Sequence, residues 1–202
     1  MNKKLVITSF IVVAVFGYLY LTTTSKKSAF NFSPTAPSQK QSSNPVNVAL
    51  AAEFDYLSRN GNSSCSAAFR DSIVSKPDDA RLQGSCCSPM NIHRYKEQVE
   101  GLKKYSNIPE IPPDPYNIEA KMAKMMMSHY DDTLTLKGQK AYDYAMANSM
   151  EKGPCCCKCW RWNAYGGLAK ILITQYHFTG EQITDVWNLS DGCGGDSNEH
   201  HH

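Results

Sequence analysis

Four cysteines within five positions constrain this 202-residue chain more than any other feature of its sequence. They are Cys155, Cys156, Cys157 and Cys159, with a Gly-Pro pair just before them and two tryptophans nearby on the other side. A turn, or the first turn of a helix, brings such close neighbours to one point with little loss of loop-closure entropy. We call residues 155–159 the CCCKC segment, and its density predicts a reactive or metal-binding sulfur site.

The other cysteines of the chain also favour a common site. Cys86 and Cys87 are adjacent, and both they and Cys193 lie in loops flanked by glycine, which lets backbone segments approach closely. Because these loops and the CCCKC segment all lie at predicted helix ends, we expect them to converge. Adjacent cysteines rarely bridge each other, because the geometry is strained. The candidate metal ligands are Cys155, Cys157 and Cys159, then Cys156, and in a second tier Cys86, Cys87 and Cys193, which are either added ligands or a disulfide.

Thiolate sulfurs at this spacing are typical ligands of soft ions. Cys156 and Cys159 form a CxxC pair, and Cys157 and Cys159 form a CxC pair. Thiolates select ions such as Cu(I) and Zn(II). A helix that begins just after the segment would favour thiolate through its N-terminal dipole, as would nearby basic side chains. The sequence therefore predicts a soft-metal site, with Cu(I) favoured and Zn(II) as the second choice.

Two other functions stay open at this point. Thiols outside the cytoplasm tend to oxidise, so the cysteines can instead form the bridges of a disulfide-stapled structural module. The CxxC pair also fits a thiol-disulfide oxidoreductase, although it lacks the βαβ setting of thioredoxin-like enzymes. The sequence contains no Ser-His-Asp pattern, phosphate-binding glycine loop or paired-carboxylate signature. On these patterns, we lean against an enzymatic function.

The N-terminal region predicts attachment to a membrane. Residues 5–21 carry no charge and reach the short end of the length that spans a bilayer. Bulky residues end this run, so within residues 1–21 we expect a retained signal anchor in preference to a cleaved signal peptide. Lysines precede the run, which favours a cytoplasmic start. We therefore expect a single-pass protein of the cell membrane with its domain outside the cytoplasm, or an exported protein if the segment is cleaved.

The rest of the chain predicts one helical domain. Residues 22–45 are rich in Ser, Thr, Lys and Pro and are expected to be a disordered tether. Residues 46–195 have helical periodicity and no convincing strand alternation, so the fold class is all-α. We expect a compact bundle of about six or seven short helices, followed by a tail at residues 196–202. The predicted helices cover residues 46–57, 65–74, 88–105, 117–130, 136–150, 163–176 and 179–188.

The charge of the chain argues against nucleic acid as a partner. The net charge is +2, and the basic residues do not cluster as a nucleic-acid groove or arm requires. We therefore expect no nucleic acid, and we name the membrane, through residues 5–21, and a metal donor or acceptor protein as partners.

The region around the CCCKC segment resembles the PCYCGC-motif family of small exported bacterial proteins. In both, a helix rich in tyrosine and alanine, here residues 141–148, runs into the cysteine motif. Cys156 stands where the family has Tyr, and Lys158 where it has Gly, while the matching positions are Pro154, Cys155, Cys157 and Cys159. The resemblance covers the last third of the chain and implies export and a sulfur centre.

Overall fold

The computed structural model describes residues 45–195, and this part of the chain is mostly helical, as predicted. It contains seven α-helices and a two-stranded sheet: α1 Pro45–Asn60, α2 Ala67–Ser72, β1 Arg81–Gln83, α3 Ile92–Leu102, β2 Asn117–Glu119, α4 Ala120–Ser128, α5 Leu136–Asn148, α6 Trp160–Gln175 and α7 Gly180–Ser190. Short 3-10 turns, Ile73–Ser75 and Lys103–Tyr105, extend α2 and α3. The predicted anchor, all but the last residue of the predicted tether, and the tail lie outside the described residues. Among residues 45–195, no helix has the length and apolar character that crossing a bilayer requires.

The expectation of no strands is wrong for two short segments. Strands β1 and β2 pair antiparallel, with Leu82 opposite Ile118 and Arg81 opposite Glu119. Both Leu82 and Ile118 are buried, and the Arg81 side chain binds the backbone carbonyl of Asn117. Three-residue strands are too short to show alternation, and residues 117–119, predicted to begin a helix, are recruited by these tertiary contacts. Helix α4 therefore begins at Ala120.

The ends of two helices illustrate how local signals succeed and fail. The sequence Thr-Gly-Glu-Gln at residues 179–182 has the form of a capping box, and α7 begins with one. Thr179 and Gln182 cap each other's backbone N–H groups. Helix α3 does not begin at Ser88 as predicted, because the Ser88 N–H donates to the Cys193 carbonyl at 2.8 Å. Asn91 is the N-cap instead, and its side chain accepts from the N–H groups of the next turn.

Residues 108–115 contain four prolines, a pattern that predicts an extended, non-helical strap. The segment is non-helical, but it turns where the strap was expected to be extended. The Ile111 N–H donates to the Ile108 carbonyl at 3.1 Å, and both isoleucine side chains are buried. The segment therefore contributes to the core.

Helix α6 lies at the centre of the core. Most of its residues are buried, including Tyr165, Leu168 and Leu172, so it has no broad polar face. It packs so tightly on α4 that a Cβ at Gly167 would lie 1.9 Å from the Met126 carbonyl oxygen. This close packing fixes the N-terminus of α6, where the CCCKC segment ends.

Replacement of the α3 cap tests the corrected helix start. We expect Asn91→Ala to lower the free energy of unfolding by about 1 kcal/mol, because two backbone donors lose their acceptor. The measurement is urea denaturation of the reduced protein followed by circular dichroism. Ser88→Ala is the control and should have little effect; a larger loss for Ser88→Ala than for Asn91→Ala would contradict this assignment.

Candidate metal centre

The structure brings all seven predicted cysteines together and adds an eighth. We call the set the sulfur cluster: Cys65, Cys86, Cys87, Cys155, Cys156, Cys157, Cys159 and Cys193. All eight are free thiols, and every cysteine of the chain belongs to the cluster. They come from four separate stretches of the sequence. The three loops that were expected to converge do so, and the turn before α2 is a fourth segment that meets them.

One part of the cluster is formed by the CCCKC segment and the C-terminal loop. The Cys155 Sγ lies 3.0 Å from the Cys193 Sγ and 3.8 Å from the Cys159 Sγ. All three side chains are buried, with at most 2% of their surface exposed. This side of the cluster is therefore closed to solvent.

The other part of the cluster is formed around Cys87, which is exposed. Its Sγ lies 2.7 Å from the Cys65 Sγ, 3.5 Å from the Cys157 Sγ and 3.6 Å from the Cys156 Sγ. The Cys65 and Cys157 sulfurs are also only 3.3 Å apart. The cluster thus has an accessible edge as well as a buried side.

Cys65 is the member that the sequence prediction missed. It was interpreted as the first residue of a helix, whereas α2 begins at Ala67 with Ser66 as its N-cap. No cysteine stands near it in the sequence, so spacing gave no signal. Its Sγ contacts cysteines 22 and 92 positions away, a proximity that only the tertiary fold creates.

Three sets of four sulfurs have the spacing of metal ligands. They are Cys65, Cys86, Cys157 and Cys159; Cys86, Cys155, Cys157 and Cys193; and Cys87, Cys156, Cys157 and Cys193. In each set all ligand atoms lie within 4.8 Å of one another. In a tetrahedral site with metal–sulfur bonds of about 2.3 Å, neighbouring sulfurs are about 3.8 Å apart. Small side-chain adjustments therefore suffice for these sets to hold an ion.

Backbone hydrogen bonds join the two glycine-flanked loops. The Cys86 N–H donates to the Gly192 carbonyl at 3.2 Å, and the Gly195 N–H donates to the Pro89 carbonyl at 2.8 Å. Gly194 between them has φ +82°, and a Cβ there would lie 2.1 Å from the Ser88 carbonyl oxygen. Glycine is therefore required for this close approach, which brings Cys193 to the cluster.

Local contacts also set the path of the CCCKC segment. After α5, the buried Ser149 hydroxyl binds both the N–H and the carbonyl of Gly153, at 2.8 and 3.1 Å. At the other end, the Cys159 N–H donates to the Cys157 carbonyl at 2.8 Å. Cys159 is the N-cap of α6, and its Sγ accepts from the Arg161 N–H at 3.4 Å. The segment is thus a compact turn between two helices, as its position predicted.

The sulfurs share protons unequally. Hydrogen bonding with Cys155 lowers the pKa of Cys156 to about 4, and the same partner is the largest cause of the lowered pKa of Cys157. Hydrogen bonds among the sulfurs raise the pKa of Cys155 itself, and burial raises the pKa of Cys65 to about 12. Thiolate formation is therefore favoured at Cys156 and Cys157 over Cys155 and Cys65, and thiolate is the form that metal binding and thiol exchange both use.

A buried cation stands beside the cluster. Arg161 is fully buried, and its guanidinium donates to the carbonyls of Pro115 and Gly84. Within residues 45–195 its Nε has no hydrogen-bond partner and no carboxylate is within ion-pair distance. Burial alone lowers the pKa of this group, but the charge of Cys86, followed by Tyr165 and then by Cys155 and Cys193, raises it. The cluster is therefore a source of negative charge for Arg161.

Comparison of the chain with protein-family models, with curated proteins and with solved structures finds no match. The resemblance to the PCYCGC-motif family therefore stays a prediction.

Oxidation of the metal-free protein should form two bridges first. The closest sulfur pairs are Cys65 with Cys87, at 2.7 Å, and Cys155 with Cys193, at 3.0 Å. We expect a limiting amount of oxidant to join these pairs, as measured by peptide mapping under non-reducing conditions. Fully reduced protein is the control. A dominant bridge between Cys86 and Cys87, or random pairing, would contradict the arrangement.

Proposed function

We propose that this protein binds a soft metal ion through its sulfur cluster, with Cu(I) as the favoured ion, and that it serves in metal capture, transfer or resistance. The observation that carries this proposal is the convergence of all eight cysteines from four separate stretches of the chain. Structural disulfides need sulfurs in pairs, whereas here each of three sets gathers four. Such sets match the coordination of thiolate-bound metals.

The buried guanidinium supports thiolates over disulfides. A buried charge without compensation costs several kcal/mol. Disulfide sulfurs are neutral and offer Arg161 no counter-charge, whereas thiolates keep negative charge when they outnumber the charges of the bound ions. Two half-buried acids, Asp114 and Asp191, also interact with Arg161, and burial raises the pKa of both. A metal–thiolate cluster therefore gives Arg161 the more favourable surroundings.

The ligand set favours copper over zinc. All ligand atoms in the three sets are sulfur, with neither imidazole nor carboxylate. Soft, all-sulfur sets select Cu(I), Zn(II) or iron–sulfur clusters. A structural zinc site is saturated by about four ligands, so eight thiolates exceed the needs of one zinc ion. Cu(I) takes fewer ligands per ion and shares thiolates readily, which fits a dense cluster.

The accessible edge supports exchange with a partner. Cys87 is exposed, and Cys65 and Cys156 beside it are half-buried, so an incoming thiolate or thioether can reach a metal ion held there. The partner that this chemistry fits is a metal donor or acceptor protein. With residues 5–21 as a membrane anchor, the cluster would meet that partner outside the cytoplasm.

One preparation tests this function against its alternatives. We expect protein purified without a histidine tag and without reductant to contain stoichiometric copper, by elemental mass spectrometry, and several thiols that react with an alkylating agent after denaturation. Absence of metal together with absence of free thiols would instead support the disulfide-stapled module. Absence of metal with a cysteine pair that cycles under dithiothreitol would support an oxidoreductase. Detection of iron together with acid-labile sulfide would indicate an iron–sulfur cluster instead of a copper site.

Substitution of Arg161 tests its electrostatic role. We expect Arg161→Gln to weaken Cu(I) binding by at least about tenfold, or roughly 1.4 kcal/mol, because a buried positive charge beside the thiolates is lost. Competition with a chromophoric Cu(I) chelator measures the affinity, after circular dichroism has shown that each variant is folded. Arg161→Lys keeps the charge and should retain most of the affinity. Equal affinities for the Gln variant and the parent protein would refute the role.

A further inference from the structure

The three four-sulfur sets are not independent sites. They overlap, and together they use all eight cysteines of the chain. Cys86 belongs to two sets and Cys193 belongs to two, while Cys157 belongs to all three. Any two of the sets therefore have Cys157 in common.

The number of sulfurs excludes separate four-coordinate sites. Three such sites need about twelve thiolates, and even two need about eight with no overlap. The chain has eight, but no two of its sets are free of overlap. Ions that each use all four sulfurs of a set must therefore share a sulfur. Cu(I) ions need fewer sulfurs each, but ions in any two sets still meet at Cys157, the one sulfur that all three sets contain. A thiolate has more than one lone pair and can bond to more than one ion at once.

We infer that the cluster is polynuclear, with several Cu(I) ions joined through the Cys157 thiolate as their common bridge. This inference rests on the proposed soft-metal function. Cys86 and Cys193 are secondary bridges, each between two sets. The remaining five sulfurs, Cys65, Cys87, Cys155, Cys156 and Cys159, each serve a single set.

The position of Cys157 suits a bridge. Its Sγ lies 3.3 Å from the Cys65 Sγ and 3.5 Å from the Cys87 Sγ, at the accessible edge, and it shares a set with the buried Cys155 and Cys193. It thus stands between the open and closed sides of the cluster. A first ion bound by Cys157 holds that sulfur and its neighbours in place for the next one. Loading should therefore be cooperative, and each thiol that binds releases its proton to solvent.

The neighbouring cysteine supplies a matched control. Cys156 precedes Cys157 in the same turn and is likewise half-buried, but it belongs to one set only. Loss of Cys156 should cost at most one ion and leave the remaining loading cooperative. Loss of Cys157 leaves each set with three sulfurs and no sulfur common to all, so partly loaded forms should accumulate.

The experiment is anaerobic titration of the reduced full chain with Cu(I), followed by native mass spectrometry, for the parent protein, Cys157→Ser and Cys156→Ser. We expect the parent to bind more than one ion and to pass directly from the metal-free to the loaded form. In a second measurement, the same proteins are loaded with Cd(II), and cadmium NMR reports coupling between ions through a shared sulfur. We expect that coupling in the parent and in Cys156→Ser. In Cys157→Ser, coupling between the first and third sets, which share Cys157 alone, should be lost, while coupling through Cys86 or Cys193 remains.

The outcomes separate this inference from the function on which it rests. A parent protein that saturates with one ion would overturn the polynuclear cluster and leave soft-metal binding intact. Several ions without cadmium coupling, or identical loading of the two variants, would remove Cys157 as the bridge. Failure of the parent to bind any Cu(I) or Cd(II) would overturn both proposals.

Discussion

Helix α6 is the element on which the cluster depends. Because it is buried on most of its surface, neighbouring helices hold it from several sides, and the contact of Gly167 with α4 leaves no room for even a methyl group. Its N-terminus provides Cys159 as the cap and Arg161 as a buried cation. A rigid helix end thus positions two of the groups that define the site's geometry and charge.

Backbone contacts hold the loops around that helix end together. Hydrogen bonds join the Cys86 and Cys193 loops, and Gly194 permits their approach. On the other side, the guanidinium of Arg161 lies where a Cβ at Gly192 would come within 2.3 Å of its carbon. Small residues and a buried charge therefore bring the sulfurs together before any ion binds, which reduces the entropy that an ion must overcome on binding.

Local sequence patterns predicted the helical class and several element ends. The capping box at Thr179 and the turn before α6 were predictable because the groups that form them lie within a few residues of one another. The short sheet, the start of α3 and the membership of Cys65 were not predictable, because each depends on residues far away in the chain. Ser88 shows the difference: it has the composition of a cap, but a hydrogen bond to Cys193 holds it in a loop.

The same distinction applies to the site. Flanking glycines and closely spaced cysteines predicted which loops carry the sulfurs, because both features are visible within short stretches of sequence. The central position of Cys157 was not visible, because its spacing resembles that of its neighbours, and only the fold brings three sets around it. The exposure of Cys87 against the burial of Cys155 is likewise a tertiary property, and it gives the cluster an open edge.

Metal ions in this protein should be held by sulfur alone. X-ray absorption at the edge of the metal found in the purified protein tests this directly, because it identifies the atoms bonded to the metal. We expect a first coordination shell of sulfur only. A shell that contains nitrogen or oxygen ligands would contradict it, because the three sets contain none.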